Sequence, residues 1–150
     1  MAGTFVCNLV HFVWSTKHRQ PLIDTKWQDR LFGYLGGILR NNGAVLIQAG
    51  GMPDHVHLLA SLPSTLSLAK AVNLLKSNST TWVHDEIQGR PDFRWQEGYG
   101  AFSVSRSAQR RVVEYIHNQQ KHHQTTNFKQ EFVALLKRHE IEFDETYLWD

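Results

Sequence analysis

Two histidines one residue apart, His55 and His57, are the first residues of this 150-residue chain whose type and spacing suggest chemistry. They lie in the run Pro53-Asp54-His55-Val56-His57-Leu58-Leu59, which reads as a strand. Strand side chains alternate, so both imidazoles share one face, about 7 Å apart, while Val56, Leu58, Ala60 and Leu62 line the other. Two neutral imidazoles at that separation can converge on one divalent cation. Two histidines packed into a core would give the same pattern, and the pair alone does not separate these readings.

A second set lies further along. Tyr115 and Gln119 are four residues apart on a segment of helical periodicity, so they point only about 40° from each other. Val112 and Ile116 mark the apolar stripe of that helix, which puts the Tyr115 phenol at the border of core and solvent. A metal held by His55, His57 and the Gln119 carbonyl oxygen would leave positions open for phosphate oxygens or water. Mixed nitrogen and oxygen donors with a polyanionic substrate suit Mg²⁺ or Mn²⁺, and Zn²⁺, Co²⁺ or Ni²⁺ also fit two imidazoles. Such a cation polarises a phosphodiester, and Tyr115 can then attack as phenolate. The product is a phosphotyrosine that keeps the ester energy, so a strand can be cut and rejoined without ATP. A structural tyrosine and a capping glutamine are the plainer alternative.

The elements that must position these residues read as β, α, β, β, α, β and two further helices. Thr4 to Trp14 is apolar on both alternating faces, as in a central strand. Asp24 caps a helix with Trp27, Leu31, Tyr34, Leu35 and Ile38 at helical spacing, stopped near Gly43. Ala44 to Ala49 and His55 to Leu62 form a hairpin through Gly50-Gly51-Met52-Pro53-Asp54. Ser67 to about Glu86 is helical, with Leu68, Val72 and Leu75 on one stripe. Phe93 to Ser103 supplies a last strand, and Ser107 caps a helix running to about His123. Asn127 and Gln130 form a capping box for a final helix with Phe128, Phe132, Leu135 and Leu136. The fold class is α+β: a ferredoxin-like antiparallel sheet with helices, plus C-terminal helices carrying the tyrosine. Without repeats or linkers, residues 1–150 read as one domain.

Composition narrows the class further. The chain is 41% hydrophobic and has one cysteine, Cys7, which excludes an internal disulfide framework. No apolar run approaches the ~18 residues of a membrane span, and no signal-peptide pattern is present, so a cytoplasmic protein without membrane contact is expected. Net charge is +2, distributed unevenly. Residues 1–40 carry five Lys/Arg against two acids, and 101–127 carry four against one, whereas 128–150 carry three against six. Two basic sets, Lys17, His18 and Arg19 after the first strand and Arg106, Arg110 and Arg111 leading the tyrosine helix, are candidates for gripping a nucleic-acid backbone. Ordinary solvated charges would look the same. Asp54 is a candidate to orient His55, though a turn role fits better; His122 and His123 could pass a proton to the leaving oxygen or bind the metal but read as surface histidines, and Trp82, Trp95 and Phe102 could stack unpaired bases but read as core.

Taken in order, Phe12-Val13-Trp14-Ser15-Thr16-Lys17-His18-Arg19, Pro53-Asp54-His55-Val56-His57-Leu58-Leu59, Tyr115-x-x-x-Gln119 and Tyr147-Leu148-Trp149 resemble the HUH single-tyrosine transposases of the IS200 type. The resemblance spans nearly the whole chain, and the step of 58 positions from His57 to Tyr115 suits that family. It implies a ferredoxin-like fold and a homodimer that excises and inserts an insertion sequence as single-stranded DNA. It also implies recognition of subterminal hairpins, Mg²⁺ or Mn²⁺ as cofactor, a 5′-phosphotyrosine intermediate and a bacterial or archaeal, nucleoid-associated setting. By matching position, Tyr115 is the nucleophile and His55, His57 and Gln119 are metal ligands. Whether the tyrosine helix serves its own or a partner's histidines is left open. A non-catalytic RNA-recognition module would need an exposed Arg/Lys-Gly-Phe-Gly-Phe type strand, which is absent. A His-x-His-x-His nucleotide hydrolase would need histidine in place of Leu59. A domesticated relative would keep the same chemistry.

Overall fold

The computed structural model describes residues 3–149. Its elements are β1 (Leu9–Ser15), α1 (Thr25–Asn41), β2 (Val45–Met52), β3 (His55–Ser61), α2 (Leu68–Glu86), β4 (Gly100–Val104), α3 (Gln109–His117), α4 (Gln119–His122) and α5 (Phe128–Arg138). The strands form one antiparallel sheet in the order β2-β3-β1-β4. This is the ferredoxin-like arrangement expected from the element order, followed by three helices in place of two.

The main core lies between the sheet and helices α1 and α2. Val10, Phe12 and Trp14 of β1 and Val56, Leu58 and Ala60 of β3 meet Trp27, Leu31, Leu35 and Leu39 of α1 and Val72, Leu75 and Val83 of α2. Full burial of side chains of this size contributes about 1.5–3 kcal/mol each. Asp24 caps α1 by accepting from the Lys26 N–H, and Gly43 leaves the helix with φ of 77°. Ser67 caps α2, whose buried stripe is Ala71, Val72, Leu75, Ser79 and Val83, with Leu68 exposed.

Several boundaries differ from the sequence expectation. β1 starts at Leu9 rather than Thr4, because both neighbouring strands end opposite Leu9, at Ser61 and Val104. The loop expected at residues 50–54 shrinks to Pro53-Asp54, since β2 continues in register with β3 to Met52. Gly50 therefore has a strand role. A Cβ there would stand 2.2 Å from the Ile116 carbonyl oxygen, so the bare backbone is what lets α3 lie on the sheet at that point. The last strand is confined to residues 100–104, after a loop held by Lys76, whose Nζ donates to the carbonyls of Gln96, Glu97 and Gly98. Ser107 does not cap the tyrosine helix. It lies in a 3₁₀ turn, Arg106–Ala108, with its hydroxyl against that of Ser105, and the helix is divided at Asn118 into α3 and α4. The capping box of α5 forms as expected, with Asn127 Oδ1 accepting from the Gln130 N–H and Gln130 Oε1 accepting from the Asn127 N–H. No helix among the described residues is long and apolar enough to cross a membrane.

Candidate metal centre and nucleophile

The sheet's second face alternates with the core residues of the same two central strands. On it stand His11, Val13 and Ser15 of β1 and His55, His57 and Leu59 of β3, paired His11 with Leu59, Val13 with His57 and Ser15 with His55. Two small apolar clusters hold helices over this face. Leu9, Leu59 and Ile116 seat α3, and Val13, Phe102, Phe128, Phe132, Leu135 and Leu136 seat α5. Between the clusters runs a seam of buried polar groups.

His55 and His57 are both fully buried in this seam, on one face as expected, with ring centroids 5.2 Å apart. His55 Nδ1 meets Asp54 Oδ1 at 2.7 Å, and His55 Nε2 lies 3.2 Å from Gln119 Oε1. Asp54 thus both makes the turn and holds an imidazole. Tyr115 stands over His57, with ring centroids 5.7 Å apart, inside the same chain. The four residues singled out from sequence, His55, His57, Tyr115 and Gln119, are therefore brought together.

Three further residues join them. Glu131 of α5 is buried, with Oε1 2.8 Å from His57 Nε2 and 3.1 Å from His123 Nε2, while Oε2 accepts the Tyr115 hydroxyl hydrogen. His123, expected at the surface, has its ring buried, with Nε2 2.9 Å from Gln119 Oε1 and Nδ1 on the Thr126 carbonyl. His11 Nε2 meets His57 Nδ1 at 2.8 Å. Glu131 had a sequence signal: it falls in the middle of the apolar stripe Phe128, Phe132 and Leu135, where an acid has no place without partners. His11 had a weaker one, as an imidazole within an otherwise apolar central strand.

Electrostatics set the resting protonation. Burial raises the Tyr115 hydroxyl well above the ordinary phenol range, and the adjacent Glu131 charge raises it further. Burial opposes ionisation of Glu131, but hydrogen bonds from His123 and His57 outweigh it and hold the carboxyl well below the usual range. Burial lowers His57, more than its bond to Glu131 raises it. His11 is pushed down to about 3, by burial first and His57 second. At rest the phenol is a hydrogen-bond donor to an ionised carboxylate, beside the His57 and His11 rings that burial keeps neutral. One ligand atom each from His55, His57, His123 and Glu131 lies within 4.8 Å of the other three, a donor set that fits a divalent metal ion.

Two cavities flank the centre. One of about 700 Å³, on the Tyr115 side, is lined by His11, Phe102, Arg111, Arg138 and His139. The other, about 410 Å³, is lined by Arg19, Asp54, His123 and Phe128. The two basic sets reach different cavities. Arg111 faces the larger cavity, whereas Arg19 faces the smaller and is held by Trp149, donating to its carbonyl oxygen and lying over its ring. Lys17 and His18 share the 3₁₀ turn of Arg19, and Arg106 and Arg110 are exposed near the start of α3. Trp95 and Phe102 are core residues, and Trp82 stacks on Tyr34 at the core's edge.

Comparison with known proteins agrees with this architecture. The family model described as transposase, IS200 like, matches residues 5–119. The ISDra2 transposase TnpA of Deinococcus radiodurans is 27% identical over 117 residues, 73% of this chain and 81% of that protein. A crystal structure of a transposase from Deinococcus radiodurans R1 superposes with a TM-score of 0.62 at 26% identity, covering 79% of this chain and 96% of that one. The fold is also that of a REP-associated tyrosine transposase bound to a REP hairpin, with a TM-score of 0.57 at 17% identity over 79% of this chain and 70% of that one.

Proposed function

The chain belongs to the IS200-like transposase family, and from that premise we propose that it cleaves and rejoins single-stranded DNA at insertion-sequence ends through a 5′-phosphotyrosine intermediate, in a metal-dependent reaction. One observation carries this reading. The Tyr115 hydroxyl is tied through a single carboxylate, Glu131, to the histidines that can hold a metal, so the nucleophile and the electrophilic centre share one framework.

In this reading Tyr115 Oη attacks the scissile phosphorus, the P–O3′ bond breaks, and the departing strand takes a proton from solvent to end in a 3′-hydroxyl. Glu131 Oε2, already the partner of the phenol hydrogen, is the acceptor placed for its proton. Attack by another 3′-hydroxyl on the phosphotyrosine reverses the bond changes and reseals a strand. His55, His57 and Gln119 would hold the ion, Mg²⁺ or Mn²⁺ by the family resemblance, which supplies charge stabilisation to the phosphate and the phenolate. Asp54 and His11 orient the two imidazoles from behind. Arg111, with Arg106 and Arg110 near the start of the same helix, would meet backbone phosphates at the larger cavity, and Lys17, His18 and Arg19 at the smaller. The working unit is a homodimer on DNA with subterminal hairpins, in the cytoplasm with the nucleoid.

The test is incubation with single-stranded element ends and Mn²⁺, followed by denaturing electrophoresis. The wild-type chain should yield a protein–DNA adduct, and His57→Ala should lose metal-dependent nicking. A wild-type chain that nicks without any covalent adduct would refute the tyrosine mechanism.

A further inference from the structure

The outer nitrogens of the three clustered imidazoles are all engaged. His55 Nδ1 meets the Asp54 carboxylate, His123 Nδ1 the Thr126 carbonyl, and His57 Nδ1 the His11 ring. A carbonyl and a carboxylate only accept, so Nδ1 of His123 and of His55 carries the hydrogen. In neutral rings of this tautomer the inner nitrogens turn lone pairs inward, in place of the hydrogens that His57 and His123 otherwise give Glu131. Those inner Nε2 atoms face Glu131 Oε1, at 3.5 Å from His55, 2.8 Å from His57 and 3.1 Å from His123, and Gln119 Oε1 stands beside two of them. Gln119 Oε1 and the Glu131 carboxylate also only accept. Lone pairs of several buried atoms can thus converge on one small volume, where a cation takes the place of those hydrogens. Outward anchoring of each ring is what fixes tautomer and aim in histidine metal sites.

Glu131 and His123 both lie beyond residue 119, outside the segment that matches the family model. Their presence changes the chemistry of the donor set. Mg²⁺ is hard and prefers oxygen ligands and water, while imidazole nitrogen suits first-row transition ions. Extending the metal-dependent reading above, we propose that Glu131 and His123 are metal ligands together with His55, His57 and Gln119, making a site of three imidazoles, a carboxylate and an amide oxygen that takes Mn²⁺ or Zn²⁺ in preference to Mg²⁺. The carboxylate then serves two partners at once. Oε1 faces the ion, and Oε2 keeps the Tyr115 phenol beside it.

The experiment is calorimetric titration of the full, chelator-treated chain with Zn²⁺, Mn²⁺ and Mg²⁺ separately, on the wild type, Glu131→Gln and His123→Asn, with circular dichroism to establish folding. The wild type should bind one Zn²⁺ or Mn²⁺ per chain, each at least about tenfold more tightly than Mg²⁺. Each folded variant should lose about tenfold or more in Zn²⁺ affinity. Mg²⁺ binding as tight as Mn²⁺, or Zn²⁺ affinity unchanged in either folded variant, overturns the proposal. If both variants fail to fold, Mg²⁺ binding by the wild type as tight as Mn²⁺ still overturns the proposal. Mg²⁺ binding that is lost in His57→Ala but indifferent to Glu131 would remove this extension and leave the metal-dependent reading standing. A wild type that binds none of the three ions would sink both.

Discussion

The two faces of one sheet use the same strands for different ends. Toward α1 and α2, β1 and β3 present Val10, Phe12, Trp14, Val56, Leu58 and Ala60, a continuous apolar wall. Toward α3 and α5 the alternate residues include His11, His55 and His57, and the apolar contacts split into two clusters on either side of a polar seam. The first face can be satisfied by volume and hydrophobicity. The second requires each buried polar atom to find a specific partner, because an unpaired one costs about 1–3 kcal/mol. The difference teaches where rigidity comes from: one residue along a strand separates a group that holds the sheet from a group that the sheet holds.

That contrast can be broken at either face. The largest effect is expected for Tyr115→Phe, which removes one oxygen from the seam. Covalent adducts on a denaturing gel should fall below detection, while unfolding free energy changes by no more than about 3 kcal/mol. A variant that still forms adducts would move the nucleophile elsewhere. On the opposite face, Leu58→Ala should cost about 2–5 kcal/mol in denaturant unfolding, with adduct formation per folded molecule near wild type at low temperature. A selective loss of chemistry in that variant would mean that the faces are not separable.

Gly50→Ala tests the join between strand and helix. The added Cβ meets the Ile116 carbonyl, so α3 must lift and carry Tyr115 with it. Single-turnover adduct formation should slow by about 10- to 100-fold, with binding to hairpin DNA retained. The smallest effect is expected for Arg111→Ala at the rim of the larger cavity. In anisotropy titrations it should weaken single-stranded DNA binding and reduce the slope of log affinity against log salt by roughly 0.7. An unchanged slope would mean that Arg111 touches no phosphate.

Much of this was legible in the residues, and the gaps have physical reasons. Alternation placed His55 and His57 on one face, and helical spacing brought Tyr115 and Gln119 to the same side. Asp24, Ser67 and the Asn127–Gln130 pair marked helix starts because capping is local chemistry. The role of Gly50 was hidden because the helix pressing on it arrives more than sixty residues later, and a glycine next to another glycine reads as a turn. Glu131 was missed, and His123 was weighed as a metal ligand but set at the surface, for a related reason. Their partners come from β3, far away in the chain, so the apolar stripe around Glu131 marks it as buried without saying what it meets. The break at Asn118 is equally silent, since the residues around it suit a continuous helix.

The capping box at the start of α5 carries a consequence beyond the helix it begins. Asn127 and Gln130 lock the first turn by bonding each other's backbone, and Glu131 is the very next residue. If winding began one residue early or late, the carboxylate would swing by about 100° around the axis, away from the imidazoles and toward solvent or grease. A pair of uncharged amides on the outside of the protein therefore calibrates the aim of an acid deep within it, and wear at that exterior point would register as misalignment at the heart.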